Sequence, residues 1–277
     1  MKWFARFAGR LLFVALGTYV VFVMVIYFSQ RSILYQPSES YSKPQDLGLV
    51  GVSEVSIRTK FAHQLVCWQA EPSKGQPTLL FFHGNGGNVS HRSKKFRQLM
   101  AVGYGVFMLG YPGYGPSEGE PSEASFLEAA QLAYDYLRSG GIAETQIVIY
   151  GASLGSAVAA QLAAKVVCRA LILEAPMNSV LEISQQRFPF LPVAWMLKDT
   201  YLTSDFINKV EEPVFMIHGL NDNIIPPDSG AKLFERANEP KKRHLVRNAG
   251  HNNLYDFPVV EALKAFLDEL PRRPLPR

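Results

Sequence analysis

Short apolar runs that alternate with helical patterns dominate the chain from residue 51 onward. Strand-like runs occupy residues 52–57, 64–68, 77–82, 104–109, 146–150, 170–174, 214–217 and 244–246. Helical patterns follow most of the later runs; residues 121–139, for example, begin with Ser122-x-x-Ser125 and stop at Gly140-Gly141. Alternating strands and helices predict an α/β fold with a mostly parallel sheet and helices on both faces. The first two runs have no helix between them and predict an antiparallel beginning.

A different, uniformly apolar pattern occupies the N-terminus. Residues 11–30 are twenty residues without a charge, about the length that crosses the hydrocarbon core of a bilayer as a helix. Lys2, Arg6 and Arg10 precede this stretch, and Arg31 alone follows it closely. The basic excess before the span predicts a transmembrane signal-anchor with its N-terminus in the cytoplasm and the rest of the chain in the periplasm or a lumen. A cleaved signal peptide is the alternative, although residues 27–30 contain no Ala-x-Ala-like site.

The sequence Gly-Ala-Ser-Leu-Gly at residues 151–155 lies between a predicted strand and an alanine-rich helical stretch, 156–167. Gly-x-Ser-x-Gly in that context is typical of the nucleophile elbow of serine hydrolases. The serine has to lie on a sharp turn, and glycine fits where the neighbouring backbone comes close. The same pattern also occurs in ordinary tight turns. Ser153 can therefore be assigned as a nucleophile only if the chain also supplies a base and an acid to activate it.

A nucleophilic serine requires a base, and the base requires an acid that orients it. His251 lies in a polar loop between a predicted strand and a helical pattern at 257–270, a position suited to a catalytic imidazole. Asp222 follows the buried-strand pattern at 214–217 and is the favoured acid. The order Ser153, Asp222, His251 is the nucleophile, acid and base order of α/β-hydrolases.

Other residues compete for these roles. Glu174 ends the strand-like run 170–174 and is an alternative acid, whereas Asp228 is expected to be the N-cap of the next helix. His83 and His218 each end an apolar run before a glycine, and we expect them to hold loops by hydrogen bonding.

An oxyanion hole needs two backbone N–H donors beside the serine. The elbow supplies the N–H of Leu154. The glycine-rich turn after the third strand, His-Gly-Asn-Gly-Gly-Asn at 83–88, predicts that the N–H of Asn85 is the second donor. A phosphate-binding loop is disfavoured there because the turn lacks the lysine and Ser/Thr of Walker-type loops.

Three motifs together resemble one branch of the α/β-hydrolase superfamily, the bud-emergence-protein-like and abhydrolase domain-containing membrane-anchored serine hydrolases. They are Phe-Phe-His-Gly-Asn-Gly-Gly-Asn at 81–88, Tyr-Pro-Gly-Tyr-Gly-Pro-Ser-Glu-Gly at 111–119 and the elbow; Leu-Tyr-Gln-Pro at 34–37 extends the match. The resemblance implies a Ser-Asp-His triad and an N-terminal membrane anchor, with no substrate specified. We expect a hydrolase of esters or thioesters; an acyltransferase, a peptidase or a non-catalytic scaffold with the same fold are the alternatives.

The distribution of charge along the chain limits the classes of partner that it is expected to bind. The net charge is +4, but residues 1–31 carry +4 and residues 272–277 carry +3, so the body of the chain is acidic. Basicity confined to the ends disfavours a nucleic-acid partner. The expected partners are an acyl substrate, small or lipid-like, and the membrane. Cys67 and Cys168 lack zinc-ligand spacing and are expected to pack in the core, with a disulfide left open. We expect no metal or cofactor.

The predicted organisation is a basic segment and anchor at 1–31, a linker at 32–50, the hydrolase domain at 51–270 and a disordered tail at 271–277. Residues 177–210 interrupt the alternation with Phe-Pro-Phe-Leu-Pro-Val-Ala-Trp-Met-Leu at 188–197. This segment lies where hydrolases insert lids. It is either a lid that shapes an acyl pocket or a surface helix that buries its apolar side chains on the sheet.

Overall fold

A computed structural model describes residues 2–271 of the chain; most of the predicted tail lies outside the described residues. Its main element is an eight-stranded sheet in the order β8-β7-β6-β5-β3-β4-β2-β1. The strands are β1 (Val52–Arg58), β2 (Gln64–Ala70), β3 (Thr78–Phe82), β4 (Gly105–Met108), β5 (Ile147–Ala152), β6 (Ala170–Glu174), β7 (Val214–Gly219) and β8 (Lys241–Val246). β2 is antiparallel to both β1 and β4, and the other neighbours are parallel.

Helices cover both faces of this sheet. The α-helices are α1 (Lys2–Leu34), α2 (Ser93–Ala101), α3 (Glu123–Ser139), α4 (Leu154–Ala163), α5 (Val180–Arg187), α6 (Val193–Met196), α7 (Pro227–Arg236) and α8 (Val259–Glu269). Buried side chains of α3 and α4 pack on one face of the sheet, and those of α2 and α8 pack on the other. The predicted α/β fold with a mostly parallel sheet and an antiparallel beginning is confirmed.

The eight predicted strands all form, with ends displaced by three residues at most. The helix predicted at 156–167 is wrong in its bounds, because α4 starts at Leu154, directly after the serine, and ends at Ala163, before the β-branched pair Val166-Val167. Asp228 is not an N-cap: α7 begins one residue earlier, at Pro227, whose fixed φ suits a first helical position. The start of α3 is confirmed, since Ser122 and Ser125 form a reciprocal capping box.

Helix α1 is the one described helix long and apolar enough to cross a membrane, and its most apolar window is not buried. It continues past the predicted span to Leu34 and leads into residues that pack on the domain. Tyr35 is buried, and Gln36–Pro37 pair in parallel with Gly86–Gly87. The stretch predicted as a linker is therefore attached to the glycine-rich turn that follows β3.

The segment 177–210 contains α5, α6 and two 3-10 turns, Thr203–Asp205 and Ile207–Lys209. Its apolar residues divide between two environments. Val180 and Val193 are buried, whereas Phe190 and Trp195 are 61% and 92% exposed. The segment thus resembles neither a helix fully packed on the sheet nor a polar surface loop.

Close packing at the elbow requires its two glycines. A Cβ on Gly155 would lie 2.1 Å from the carbonyl oxygen of Phe82, and one on Gly151 would lie 2.2 Å from the carbonyl oxygen of Gly155. Both contacts are with backbone, which cannot move aside without displacing β3 or α4. These glycines let the helix start against the ends of two strands.

We expect Gly155→Ala to lower the free energy of unfolding by about 3 kcal/mol, since overpacking against backbone lies at the costly end of such changes. That loss corresponds to a fall in Tm of roughly 6–12 °C for a domain of this size. Gly17→Ala is the matched control, because nothing lies within 4 Å of a Cβ there. Thermal melts of the detergent-solubilised variants measure both, and equal Tm values would contradict the packing account.

Candidate active site

Ser153 lies at the turn between β5 and α4, with a left-handed backbone of φ 54° and ψ −121°. The surrounding structure fixes this conformation. Its N–H donates to the carbonyl of Glu174 at 2.8 Å, and its own carbonyl accepts from the N–H and hydroxyl of Ser156. A non-glycine residue with positive φ is strained, and such strain concentrates at functional sites. The turn leaves the Ser153 side chain partly exposed at the end of the sheet.

The structure brings the three residues of the predicted triad together. His251 Nε2 lies 2.9 Å from Ser153 Oγ, and His251 Nδ1 lies 2.7 Å from Asp222 Oδ2. Both distances are within hydrogen-bond range. With Nδ1 donating to the carboxylate, Nε2 carries the lone pair that faces the serine hydroxyl. This is the geometry that a general base needs.

The Asp222 carboxylate is fully buried and well supplied with donors. Its Oδ1 accepts from the N–H groups of Ile224 and Ile225 at 2.9 Å each, and its Oδ2 lies 3.3 Å from His218 Nε2. Burial by itself would raise the pKa of Asp222, but the hydrogen bonds from His218, His251 and Ile225 hold this pKa well below its usual range. Asp222 is therefore a carboxylate at any physiological pH.

The competing residues have other partners. Glu174 accepts from Lys95 Nζ at 2.7 Å on both oxygens and from Tyr150 Oη at 2.8 Å, so its carboxylate is engaged away from His251. His83 is buried, and its Nδ1 lies 2.7 Å from the carbonyl of Gly84. Burial lowers the pKa of His83 to about 3, so this side chain is a neutral element of the turn.

The predicted oxyanion donors flank the serine. Leu154 is the first residue of α4, and N–H groups in the first turn of a helix have no intrahelical acceptor. The N–H of Asn85 makes no backbone hydrogen bond within the described chain. Tyr111 and Tyr114 support the turn from behind, donating to the carbonyls of His83 and Asn85. This contact fits the expectation that the 111–115 loop passes close to the site.

Two cavities of opposite character meet at Ser153. The first, of about 440 Å³, is apolar and lies between α1 and the 177–210 segment. The second, of about 510 Å³, is lined mainly by polar and charged residues and lies between the glycine-rich turn and the loop that carries His251. Ser153, Asn85 and Ile224 line both cavities. A substrate attacked by the serine would therefore have one part in each.

Sequence reasoning missed the charged residues of the polar cavity. Arg92, Lys94 and Lys95 line it, from the short helical turn Val89–Arg92 and from α2. Lys94 is paired with Asp256 and Lys95 with Glu174, whereas Arg92 has no carboxylate within 4.0 Å among the described residues. Burial lowers the pKa of both Arg92 and Lys95. The clustering of Arg92, Lys94 and Lys95 directly after the candidate oxyanion loop is the sequence signal that could have revealed them.

Neither cysteine belongs to the site: Cys67 and Cys168 are both buried and outside any disulfide. Over residues 2–271, no group of three His, Cys, Asp or Glu side chains is placed to hold a metal ion.

Comparison with known proteins addresses the family and the fold. A family model described as "Alpha/beta hydrolase family" matches residues 79–208. Protein bem46 of Schizosaccharomyces pombe is 32% identical over 245 residues, which cover 82% of each chain. The human alpha/beta hydrolase domain-containing protein 17B is 32% identical over 216 residues, covering 76% of this chain and 74% of that protein.

Among solved structures, the esterase Pf2001 of Pyrococcus furiosus superposes with a TM-score of 0.70 at 17% sequence identity, over 86% of this chain and 97% of that one. At this identity the likeness shows the fold. The sequence relatives, which match at higher identity over most of their length, show more, and the resemblance expected from the motifs is confirmed. The chain belongs to the alpha/beta-hydrolase family.

Proposed function

We propose that the protein is a membrane-anchored serine hydrolase that cleaves an ester or thioester through an acyl-enzyme. The observation that carries this proposal is the continuous hydrogen-bonded chain from Ser153 through His251 to Asp222, with Ser153 on a strained elbow. A serine that merely caps a turn has no need of an imidazole 2.9 Å away that is itself oriented by a buried carboxylate.

In the first half-reaction, His251 Nε2 takes the hydroxyl proton as Ser153 Oγ bonds to the acyl carbon. The carbonyl oxygen gains negative charge, which the N–H groups of Asn85 and Leu154 stabilise. His251 then gives the proton to the departing alkoxide or thiolate as its bond to carbon breaks, leaving the acyl group on Ser153. Asp222 stabilises the transient imidazolium and holds its orientation.

In the second half-reaction, water replaces the leaving group. His251 takes a proton from the water as its oxygen attacks the acyl carbon, and returns that proton to Ser153 Oγ when the acid departs. The two cavities suit the two halves of the substrate. The apolar cavity accepts the acyl chain, and the polar cavity, with Arg92 on its wall, accepts the leaving group.

The anchor is α1. Basic residues before its charge-free span favour a cytoplasmic N-terminus, and therefore a hydrolase domain on the non-cytoplasmic side. The unburied apolar surface of α1 supports its assignment as the anchor, because the described domain leaves most of that helix uncovered. Hydrolysis would then take place next to the membrane surface.

Ser153→Ala and His251→Ala should each lower kcat for p-nitrophenyl butyrate by more than about 10³-fold, since the triad members act as a unit. The double variant should be little worse than either single one. Ser139→Ala is a control on an exposed hydroxyl in the last turn of α3, which donates to the carbonyl of Tyr136. A fluorophosphonate should label the wild-type chain and not Ser153→Ala. An unlabelled wild type would favour a non-catalytic scaffold.

Asp222→Asn should lower kcat by about 10³–10⁴-fold while leaving KM little changed, because the amide no longer stabilises the imidazolium. The variant also tests the depressed pKa of Asp222. Such a carboxylate stabilises the fold fully above the pKa of an unfolded aspartate, about 4, and the contribution is lost as the pH falls towards the lower folded value. The difference in unfolding free energy between wild type and Asp222→Asn should therefore be constant above about pH 5 and shrink below pH 4.

The orientation in the membrane is tested by fusions to the C-terminus expressed in a Gram-negative bacterium. Alkaline phosphatase should be active there and green fluorescent protein dark, because the former matures in the periplasm and the latter fluoresces in the cytoplasm. Replacing Arg6 and Arg10 by Gln should weaken this bias, since the basic excess sets the orientation. The reverse pattern of reporters would place the active site in the cytoplasm.

A further inference from the structure

Helix α1 forms one wall of the apolar cavity that reaches Ser153. Its lining residues recur at intervals of three or four, so they occupy one face of the helix: Phe22, Ile26, Gln30, Ile33 and Leu34. The facing wall comes from α5, α6 and the turn between them, including Ile183, Phe188, Leu191 and Met196. Without α1, this cavity would be an open groove.

Specific polar contacts hold α1 against the facing wall. The Gln30 side chain donates to the carbonyl of Met196 at 3.1 Å and accepts from the N–H of Lys198 at 2.7 Å. The Arg31 guanidinium makes two hydrogen bonds, of 2.8 and 3.1 Å, to the buried carboxylate of Asp199. A helix that served only as a tether would need none of these bonds.

The last turn of α1 also holds the candidate oxyanion loop. The side-chain amide of Asn85 donates to the carbonyl of Leu34 at 2.9 Å, and the N–H of Gln36 donates to the carbonyl of Asn85 at 3.1 Å. The carbonyl at a helix C-terminus has no intrahelical partner, so Asn85 supplies one. The helix therefore contacts both the acyl cavity and the loop beside the reacting carbon.

The cavity lies at a depth that lipid chains occupy. Tyr19 Oη donates to the carbonyl of Phe190 at 2.8 Å. Tyr19 is eleven residues before Gln30, the end of the charge-free span, a distance of roughly 16 Å along a helix. If α1 crosses a hydrocarbon core about 30 Å thick upright and that core ends at Gln30, the Phe190 carbonyl bound to Tyr19 would lie near the middle of the bilayer. The exposed Phe190 and Trp195 are apolar and suit that environment, and the exposed Arg187 at the end of α5 is the charged residue nearest to Phe190 in the sequence.

We propose that the acyl chain of a bilayer-resident ester or thioester enters this cavity sideways from the membrane, between α1 and the 177–210 segment, with α1 as a wall of the acyl site. This proposal rests on the hydrolase function proposed above and adds the source of the substrate. The polar end of the substrate remains near the membrane surface, in the cavity lined by Arg92. The anchor thus selects substrates as well as localising the enzyme.

The first test replaces residues on the two sides of α1. Ile26 lines the cavity, whereas its neighbour Val25 is 56% exposed and does not. In the full chain in lipid nanodiscs, Ile26→Trp should lower the ratio of kcat/KM for p-nitrophenyl laurate to that for p-nitrophenyl butyrate by about tenfold, because the indole fills acyl space. Val25→Trp should leave the ratio unchanged, and Ile26→Ala should shift it towards the longer chain.

The outcomes separate the two proposals. Hydrolysis of both esters by the wild type, with an unchanged ratio in Ile26→Trp, would overturn the role of α1 and leave the hydrolase function standing. A wild type that hydrolyses neither ester would refute the proposed function itself. A loss of butyrate hydrolysis in Ile26→Trp but not in Ile26→Ala would indicate that Ile26→Trp misfolds. The Ile26→Ala ratio is then the test: a shift towards laurate supports the role of α1, and an unchanged ratio overturns it.

The second test needs no activity. Trp195 should be immersed in lipid, Trp68 is fully buried in the domain, and Trp3 is removed by Trp3→Phe. In that background, nanodiscs made with lipids brominated along their acyl chains should quench a large part of the fluorescence. Trp195→Phe should abolish the quenched part, leaving only Trp68. Fluorescence insensitive to the brominated lipids would show that the segment lies outside the bilayer and would overturn sideways entry.

Discussion

The contact of the α4 N-terminus with the ends of β3 and β5 is the constraint on which the site depends. Gly151 and Gly155 allow backbone approaches that no side chain could share, and Ser153 between them is forced to a positive φ. The strain raises the hydroxyl above the strand ends, where the loops after β3, β7 and β8 converge. Parallel strands bring those loops to one edge, so residues far apart in sequence meet there.

Around that point the structure separates charge from apolar surface. The Asp222 carboxylate is buried yet ionised, because four donors compensate its desolvation. On one side Lys95, Glu174 and Tyr150 form a satisfied polar network beneath a charged cavity. On the other side the walls are mainly aliphatic and aromatic, with Gln30, Ser184 and Arg187 among the lining residues. An acyl ester is divided in the same way, into an apolar acyl chain and a more polar leaving group, and its carbonyl carbon lies between them.

Local sequence patterns predict one part of this structure, and long-range packing determines the rest. The strands, the elbow and the residues Asp222 and His251 were predictable, because local patterns and chain order specify them. Arg92 and the α1 wall were not, because their roles arise from long-range packing that no local period records. The apolar face of Phe22 and Ile26 looks the same in sequence as the lipid-facing side of α1. The contacts of Tyr19, Gln30 and Arg31 with the 177–210 segment distinguish the two faces.

Those contacts also explain polar residues that a membrane anchor would not otherwise need. Gln30 and Arg31 end the charge-free span and bind the 177–210 segment, while Leu34 and Gln36 bind the Asn85 turn. A displacement of α1 would therefore change the acyl cavity and the candidate oxyanion donor together, since both rest on its last three turns. Under the proposed function, the position of α1 in the membrane and the geometry of the candidate active site are coupled through one helix. A form of the domain without α1 would lose both a wall of the apolar cavity and the contacts that hold the Asn85 turn.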